Sequence, residues 1–291
     1  MIKIVTDSTA YLPEEVVQRY GIQVIPLNVL FGERTYKEGL DLSYEQFYQM
    51  LAQAKDLPTT SQPAVGEFYE LYSKLVQDGS EVISIHISSK LSGTIDSALM
   101  ACKELPEARI SVVDSFSTAV GLELMVIAAA EAVAAGQSRA EVVAMLEQMV
   151  RETRLFFVVD TLEYLQKGGR IGGAAALVGT LLNVKPILHL KDGRIEPLSK
   201  VRTKRKAVKE LLGLMVEEMG SEEPVRIAVG HAVALKEGQS LLEKAQSRLN
   251  CAVSYLAQIG PVIGTHTGPG ALGLATCPER VIDVKREAWP L

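Results

Sequence analysis

Short β-branched runs alternate with amphipathic stretches through the first half of the chain. Ile2–Val5, Ile22–Leu30, Val82–Ile87 and Ile110–Val113 read as strands. Glu14–Tyr20, the segment after Gly93, Ala119–Ala135 and Arg139–Arg151 read as helices. Ser43 with Gln46 forms a capping box. Phe47, Met50, Leu51 and Ala54 then repeat at helical spacing, as do Phe68, Leu71, Tyr72 and Leu75. Alternation of this kind calls for a parallel sheet covered by helices, because parallel neighbours need a crossover between them. In such sheets ligands sit beyond the carboxyl ends of the strands, so the residues that follow each strand carry the functional interest.

The second half has a different pattern. Phe156–Val159 reads as a strand, and Leu162–Gln166 and Ala174–Leu182 as short helices separated by glycines. Pro186–Leu190 and Ile195–Ser199 flank an Asp192-Gly193 step, a hairpin signal. Ala207–Met219 reads as a helix. Val225–Val229, Leu235–Leu249 and Ala252–Leu256 read as strand, helix and strand. The expectation is an α/β protein of two domains. Residues 1–155 would form a parallel sheet flanked by helices, and residues 156–291 an α+β domain.

Charge and cysteine usage narrow the function classes. Lys plus Arg number 30 against 35 Asp plus Glu, a formal charge of −5, which argues against a nucleic-acid binder. The three cysteines form no C-x-x-C pair, so neither a disulfide framework nor a zinc cluster is expected. Met1–Ser8 reads as a strand and not as a secretion signal, since Asp7 interrupts its apolar run. The greasiest stretch, Gly121–Ala135, is broken by Glu123 and Glu131 and falls short of the roughly 20 residues of a membrane span. A soluble, cytoplasmic protein is expected.

Polar residues collect in a few segments. Thr6-Asp7-Ser8-Thr9 follows the first strand and reads either as a capping turn or as part of a site. Thr59-Thr60-Ser61 precedes a helix. Ser61 is placed to cap it, with Pro63 in its first turn, and the run of hydroxyls equally suits an anion at a helix start. Ser88–Thr94 follows Val82–Ile87. Its Ser92 is placed as a cap, Gly93 admits a close ligand, and Ser92, Gly93 and Thr94 together offer hydroxyls and amides to a carboxylate or phosphate. His266, flanked by Thr265, Thr267 and glycines, is expected to be exposed enough to donate a hydrogen bond to a ligand; the alternative is a satisfied structural histidine. His86, His189 and His231 have apolar neighbours and read as structural.

Gly268–Gly273 matches G-x-G-x-x-G, but Pro269 interrupts it and the acidic partner of a dinucleotide site is missing, so that reading is rejected. There is no H-E-x-x-H, no G-x-S-x-G and no P-loop, and neither a metal nor a nucleotide cofactor is expected. Arg170, within Lys167–Gly173, is a candidate oxyanion clamp among glycines that bend closely or move. Lys200–Lys206, which includes Arg202, Lys204 and Arg205, reads either as a solvated face or as a docking patch for an acidic partner.

In order, Val5–Thr9, Thr59–Pro63, Ser88–Thr94, Val113-Asp114-Ser115, Leu165–Ile171, Lys200–Arg205 and Gly260–Gly273 resemble the DegV family of bacterial fatty-acid-binding proteins, over nearly the whole chain. The resemblance implies a long-chain fatty acid, about C16–C18, in an apolar tunnel between two domains. It implies Thr60, Ser61, Ser92, Gly93, Thr94 and His266 around the carboxylate, with Thr60 and Ser92 bonding it. It further implies a separate ATP-dependent kinase subunit that converts the carboxylate to an acyl phosphate, with Arg170, Arg202, Lys204 and Arg205 serving phosphoryl transfer or docking. Catalysis would then lie on the partner, and neither nucleic-acid binding nor stable membrane insertion is expected. Two alternatives stand beside it: an autonomous acyl- or phosphoryl-transferase using Ser92 or His266, and a lipid sensor or transport protein with no kinase partner.

Overall fold

The computed structural model describes residues 1–179 and 184–282. The chain opens with β1 (Ile2–Asp7), α1 (Glu14–Tyr20) and β2 (Gln23–Ile25). It then makes an excursion through β3 (Asn28–Phe31), β4 (Arg34–Lys37), α2 (Tyr44–Gln53) and β5 (Thr59–Ser61). It returns through α3 (Val65–Val76), β6 (Glu81–His86), α4 (Thr94–Lys103) and β7 (Ile110–Asp114). The sheet order is β2-β1-β6-β7, and every pairing is parallel. The strand–helix alternation therefore gives the sheet it calls for.

Ile22–Leu30 is not one strand, contrary to expectation. Pro26 has no N–H for a ladder, and the chain changes sheet there: β2 stays with β1, while β3 pairs antiparallel with β4 and β5. This three-stranded sheet, order β4-β3-β5, places Thr60 opposite Val29.

Two helices follow, α5 (Ala119–Ala134) and α6 (Arg139–Glu152). The remaining elements are β8 (Arg154–Val158), α7 (Glu163–Lys167), β9 (Lys185–Lys191), β10 (Arg194–Val201), α8 (Lys204–Met219), β11 (Val225–His231), α9 (Leu235–Gln246), β12 (Cys251–Gln258), α10 (Pro261–Thr267) and β13 (Leu272–Pro278). They build a sheet of order β10-β9-β8-β13-β11-β12, antiparallel except between β11 and β12. Asp192 and Gly193 both have positive φ, 49° and 77°, the signature of a type I′ hairpin turn, as the sequence predicts. Of the expected helix Ala174–Leu182, residues Gly172–Leu177 form a 3-10 turn, and residues 180–183 lie outside the described residues.

Helix α5 joins the two larger sheets. It packs on β1 and β6 from one side and on β8, β11 and β13 from the other. A helix covered all round must be apolar all round, and every residue from Ala119 to Ala130 is buried. One hydrophobic cluster runs from Ile4 and Ile83 through Leu122 and Val126 to Ala228 and Ala275. Glu123 lies inside it, and burial pushes its carboxyl well above the usual range. Among the described residues no helix is long and apolar enough to cross a membrane.

Candidate functional site

The carboxyl end of β1 carries Asp7, which is fully buried. Its Oδ1 accepts from the amide and hydroxyl of Thr9, and its Oδ2 accepts from the amide of Ile87 and contacts His86 Nδ1 at 3.0 Å. His86 Nε2 lies 2.7 Å from Ser84 Oγ, and Tyr72 donates to Ser84. The Ser–His–Asp order resembles a hydrolytic relay, but Asp7, Ser84, His86 and Tyr72 are all wholly inaccessible. It is an internal polar chain that ties β1 to β6. The Thr6–Thr9 segment is therefore a capping turn.

Beyond the strand ends lies a cavity between the two larger sheets. Leu155, Phe157, Leu190 and Leu272 line it from one sheet, Ile87, Ala119 and Val120 from the other side, and Val262 and Ile263 from α10. Its polar lining is Thr60, Ser61, Gln62, Ser92, Thr118, Arg170, His266 and Thr267.

Several of these groups touch one another or share a neighbour. Thr60 Oγ1 lies 2.8 Å from His266 Nε2. Arg170 donates from Nε to Leu91 O at 3.1 Å and from Nη1 to Gly168 O at 2.8 Å, so two carbonyls fix its guanidinium. Gly168 in turn sits against His266, where a Cβ would stand 2.2 Å from Nδ1. Ser92 Oγ pairs with Thr94 Oγ1 at 2.9 Å, and Gly93 packs on the Gln62 side chain.

Three expectations about this region need correction. Thr60 and Ser61 lie in β5, and Ser61 caps nothing: Asn28 donates to its hydroxyl, and the start of α3 is closed by Glu67 reaching back to Ala64 N. Ser92 is not a cap either, because the cap position of α4 is Gly93 and no side chain fills it. His266 is not exposed; it is 8% accessible, on α10, with Nδ1 buried and without a partner among the described residues. The Gly- and Pro-rich run reads locally as a loop, but Pro261 starts a helix and Gly268 ends it with φ of 71°.

Burial and, to a lesser extent, the nearby Arg170 charge lower the His266 pKa to about 4. The ring is neutral at neutral pH, so the site's positive charge belongs to Arg170. The tautomer then decides what Thr60 can do. If Thr60 donates to Nε2, its proton is spent. If His266 carries its proton on Nε2 and donates to Thr60, the hydroxyl proton is free for a ligand oxygen.

A histidine whose folded pKa falls below its unfolded value of about 6.5 gives stability that is complete above pH 6.5 and lost as pH falls through 4. The chain should therefore lose stability on going from pH 7 to 4.5. A His266→Gln variant, whose amide can still donate to Thr60, should lose less. Urea denaturation of both proteins at the two pH values measures the difference.

The remaining predicted residues stand outside the cavity wall. Thr94 is buried at the start of α4. Arg202 and Arg205 are exposed, and Lys204 forms a 3.2 Å ion pair with Asp160. The Lys204–Asp160 pair borders Gly270, next to the lining residue Ala271. Among the described residues no group of three or more His, Cys, Asp or Glu is placed to hold a metal ion. One buried acid near the site was not anticipated. Glu38, which follows β4, accepts from the amide of Val262 in α10. No local pattern in Lys37-Glu38-Gly39 signals its burial.

Comparison with known proteins agrees with this architecture. Residues 1–279 match the family described as "Uncharacterised protein, DegV family". Protein DegV of Bacillus subtilis is 40% identical over 277 residues, 95% of this chain and 99% of that one. A DegV family protein from Thermus thermophilus, solved as a fatty-acid-binding structure, superposes with a TM-score of 0.91 at 36% identity, covering 95% of this chain and 99% of the other. A stearic-acid-binding protein from Eubacterium ventriosum gives 0.90 at 29% identity, covering 96% and 99%. With the family pattern matched through both sheets and α10, this chain belongs to the DegV family.

Proposed function

We propose that this chain binds a long-chain fatty acid, with the alkyl chain in the cavity and the carboxylate at Thr60, Ser92, Arg170 and His266, and presents it to a separate ATP-dependent kinase subunit. The observation that carries the reading is a largely apolar cavity with a fixed guanidinium and a hydroxyl–imidazole pair in its wall. The fatty-acid binding of the Thermus and Eubacterium proteins supports it. Each buried CH₂ contributes about 0.8 kcal/mol, so a C16 chain gains on the order of 10 kcal/mol before association costs. The carboxylate needs a charge partner and hydroxyl donors, and Arg170, Thr60 and Ser92 supply them. The exposed Arg202 and Arg205 offer an acidic partner a docking surface near the Gly270 loop.

The transferase alternative needs Ser92 within reach of a base. Ser92 is paired with Thr94, and His266 Nε2 is paired with Thr60. That pairing favours a binding role over a nucleophilic one.

Native mass spectrometry after incubation with palmitate tests the proposal. The expected result is a one-to-one adduct, with palmitate affinity at least ten-fold lower in a Thr60→Ala, Ser92→Ala double variant. An absence of any adduct would remove the carrier reading. For the kinase step, ATP-dependent acyl phosphate should form only when a kinase subunit is added, and Arg202→Ala should reduce its rate.

A further inference from the structure

The three-stranded excursion holds α10 at both of its ends. At the far end Thr60 of β5 meets His266. At the near end Glu38 Oε1 accepts from the amide of Val262 at 2.7 Å, and Tyr11 Oη accepts from the amide of Ile263 at 3.1 Å. These are two of the amides that a helix start leaves without internal partners. Tyr11 Oη also donates to Glu38 Oε1 at 3.3 Å, and Ser8 donates to Oε2 at 2.5 Å. The Glu38 backbone is pinned by its own N–H to Leu27 O, and Ser8 Oγ accepts from Leu27 N.

The fit is close on the same face of the helix. A Cβ at Gly260 would stand 2.8 Å from Glu38 Oε1 and 2.6 Å from the Tyr11 ring, and one at Gly264 would stand 2.7 Å from Tyr48 Oη. Tyr48 donates to Ile259 O, just before α10. Glu38 is 2% exposed, although among the described residues no opposite charge contacts it, and it lies outside the ligand cavity's wall. A buried carboxyl without a cation is costly, so its retention needs a reason beyond packing.

We infer that Glu38 is a positioning residue for the carboxylate site: by seating the start of α10 it holds His266 Nε2 against Thr60, the contact that, with the imidazole proton on Nε2, leaves the Thr60 hydroxyl proton for a ligand oxygen. The inference rests on the fatty-acid reading of the cavity. Burial raises the Glu38 pKa to about 7, but Oε1 accepts from Val262 in either protonation state, so the seat persists through neutrality. A glutamine keeps that acceptor, whereas alanine removes it and aspartate draws it back from the helix.

The test uses the full chain and two ligands of equal chain length, palmitate and methyl palmitate. Glu38→Ala and Glu38→Asp should lower palmitate affinity at least ten-fold while changing methyl palmitate affinity less than two-fold. Glu38→Gln should stay within three-fold of the parent on both. The ¹⁵N signals of the His266 ring should report one tautomer in the parent and in Glu38→Gln, and a mixture in Glu38→Asp. Should Glu38→Ala fail to fold, Glu38→Asp and Glu38→Gln carry the comparison alone. Equal loss for both ligands, or no loss for either, would overturn the positioning role. Failure of the parent to bind palmitate would instead overturn the fatty-acid reading.

Discussion

Replacing Arg226 by Ala is expected to destabilise the chain by about 3–5 kcal/mol, a fall in melting temperature on the order of 10 °C. Arg226 is among the largest fully buried side chains of the described residues. It projects from β11 to Glu131 of α5 at 2.6 Å and to Glu279 at 3.1 Å, just beyond β13. Its guanidinium thus holds two acids that face the same interior. Alanine would take away the cation that the two carboxylates share, and the charge left at Glu131 is the main cost. Removing a charge together with its partner should hurt less. Arg226→Met with Glu131→Leu is expected to recover part of the loss, since a well-packed apolar pair can replace a buried ion pair. Urea denaturation of the three proteins decides the matter. A single variant within about 1 kcal/mol of the parent would show that the ion pair is not coupled to folding.

Arg226 also illustrates where sequence reasoning stops. Val225–Val229 reads as a strand, and it is one, but the pattern does not reveal that its one cation is buried with the rest. That depends on Glu131 and Glu279, which are distant along the chain. Local signals fared better. Both hydrogen bonds of the Ser43–Gln46 capping box form, and Asp192-Gly193 makes its hairpin, because each needs only a few consecutive residues. The three-stranded sheet was not legible, since its central pairing joins Val29 to Thr60 and a single proline divides it from β2. Strand β13 was missed because Gly273 and Ala275 give weak strand propensity. Its place is set by β11 and β8 on either side. In the candidate site, the residue types pointing to an oxyanion were readable at Thr60, Ser92, Arg170 and His266. Their surroundings were not: a strand in place of a helix start, a buried imidazole in place of an exposed one, and Glu38 behind it.

Gly172→Ala is the other substitution with a large expected effect, about 3–5 kcal/mol of lost stability together with weaker palmitate binding. The glycines around Arg170 read from sequence as a segment that bends closely or moves, and at Gly172 close approach is the reason. Its φ is 52°, a region that a side chain makes costly, and an added Cβ would stand 2.1 Å from the carbonyl oxygen of Ile195. That oxygen belongs to the backbone of β10, whose Ile195 pairs with Leu190 of β9, so it cannot swing aside. The neighbouring Gly173 makes the control. A Cβ there also meets an obstacle, but the obstacle is the carboxylate of Glu196, the free end of a flexible side chain, and the φ at Gly173 is ordinary. Gly173→Ala should therefore change stability by less than about 1 kcal/mol. The contrast bears on the ligand because Ile195 and Leu190 line the cavity and Arg170 lies two residues before Gly172. A strand pushed away at Ile195 would shift both the apolar wall and the Arg170 guanidinium in the cavity lining. Equal stability of the two variants would mean that the contact with β10 yields easily, and Arg170 would then owe its position to the carbonyls of Leu91 and Gly168 alone.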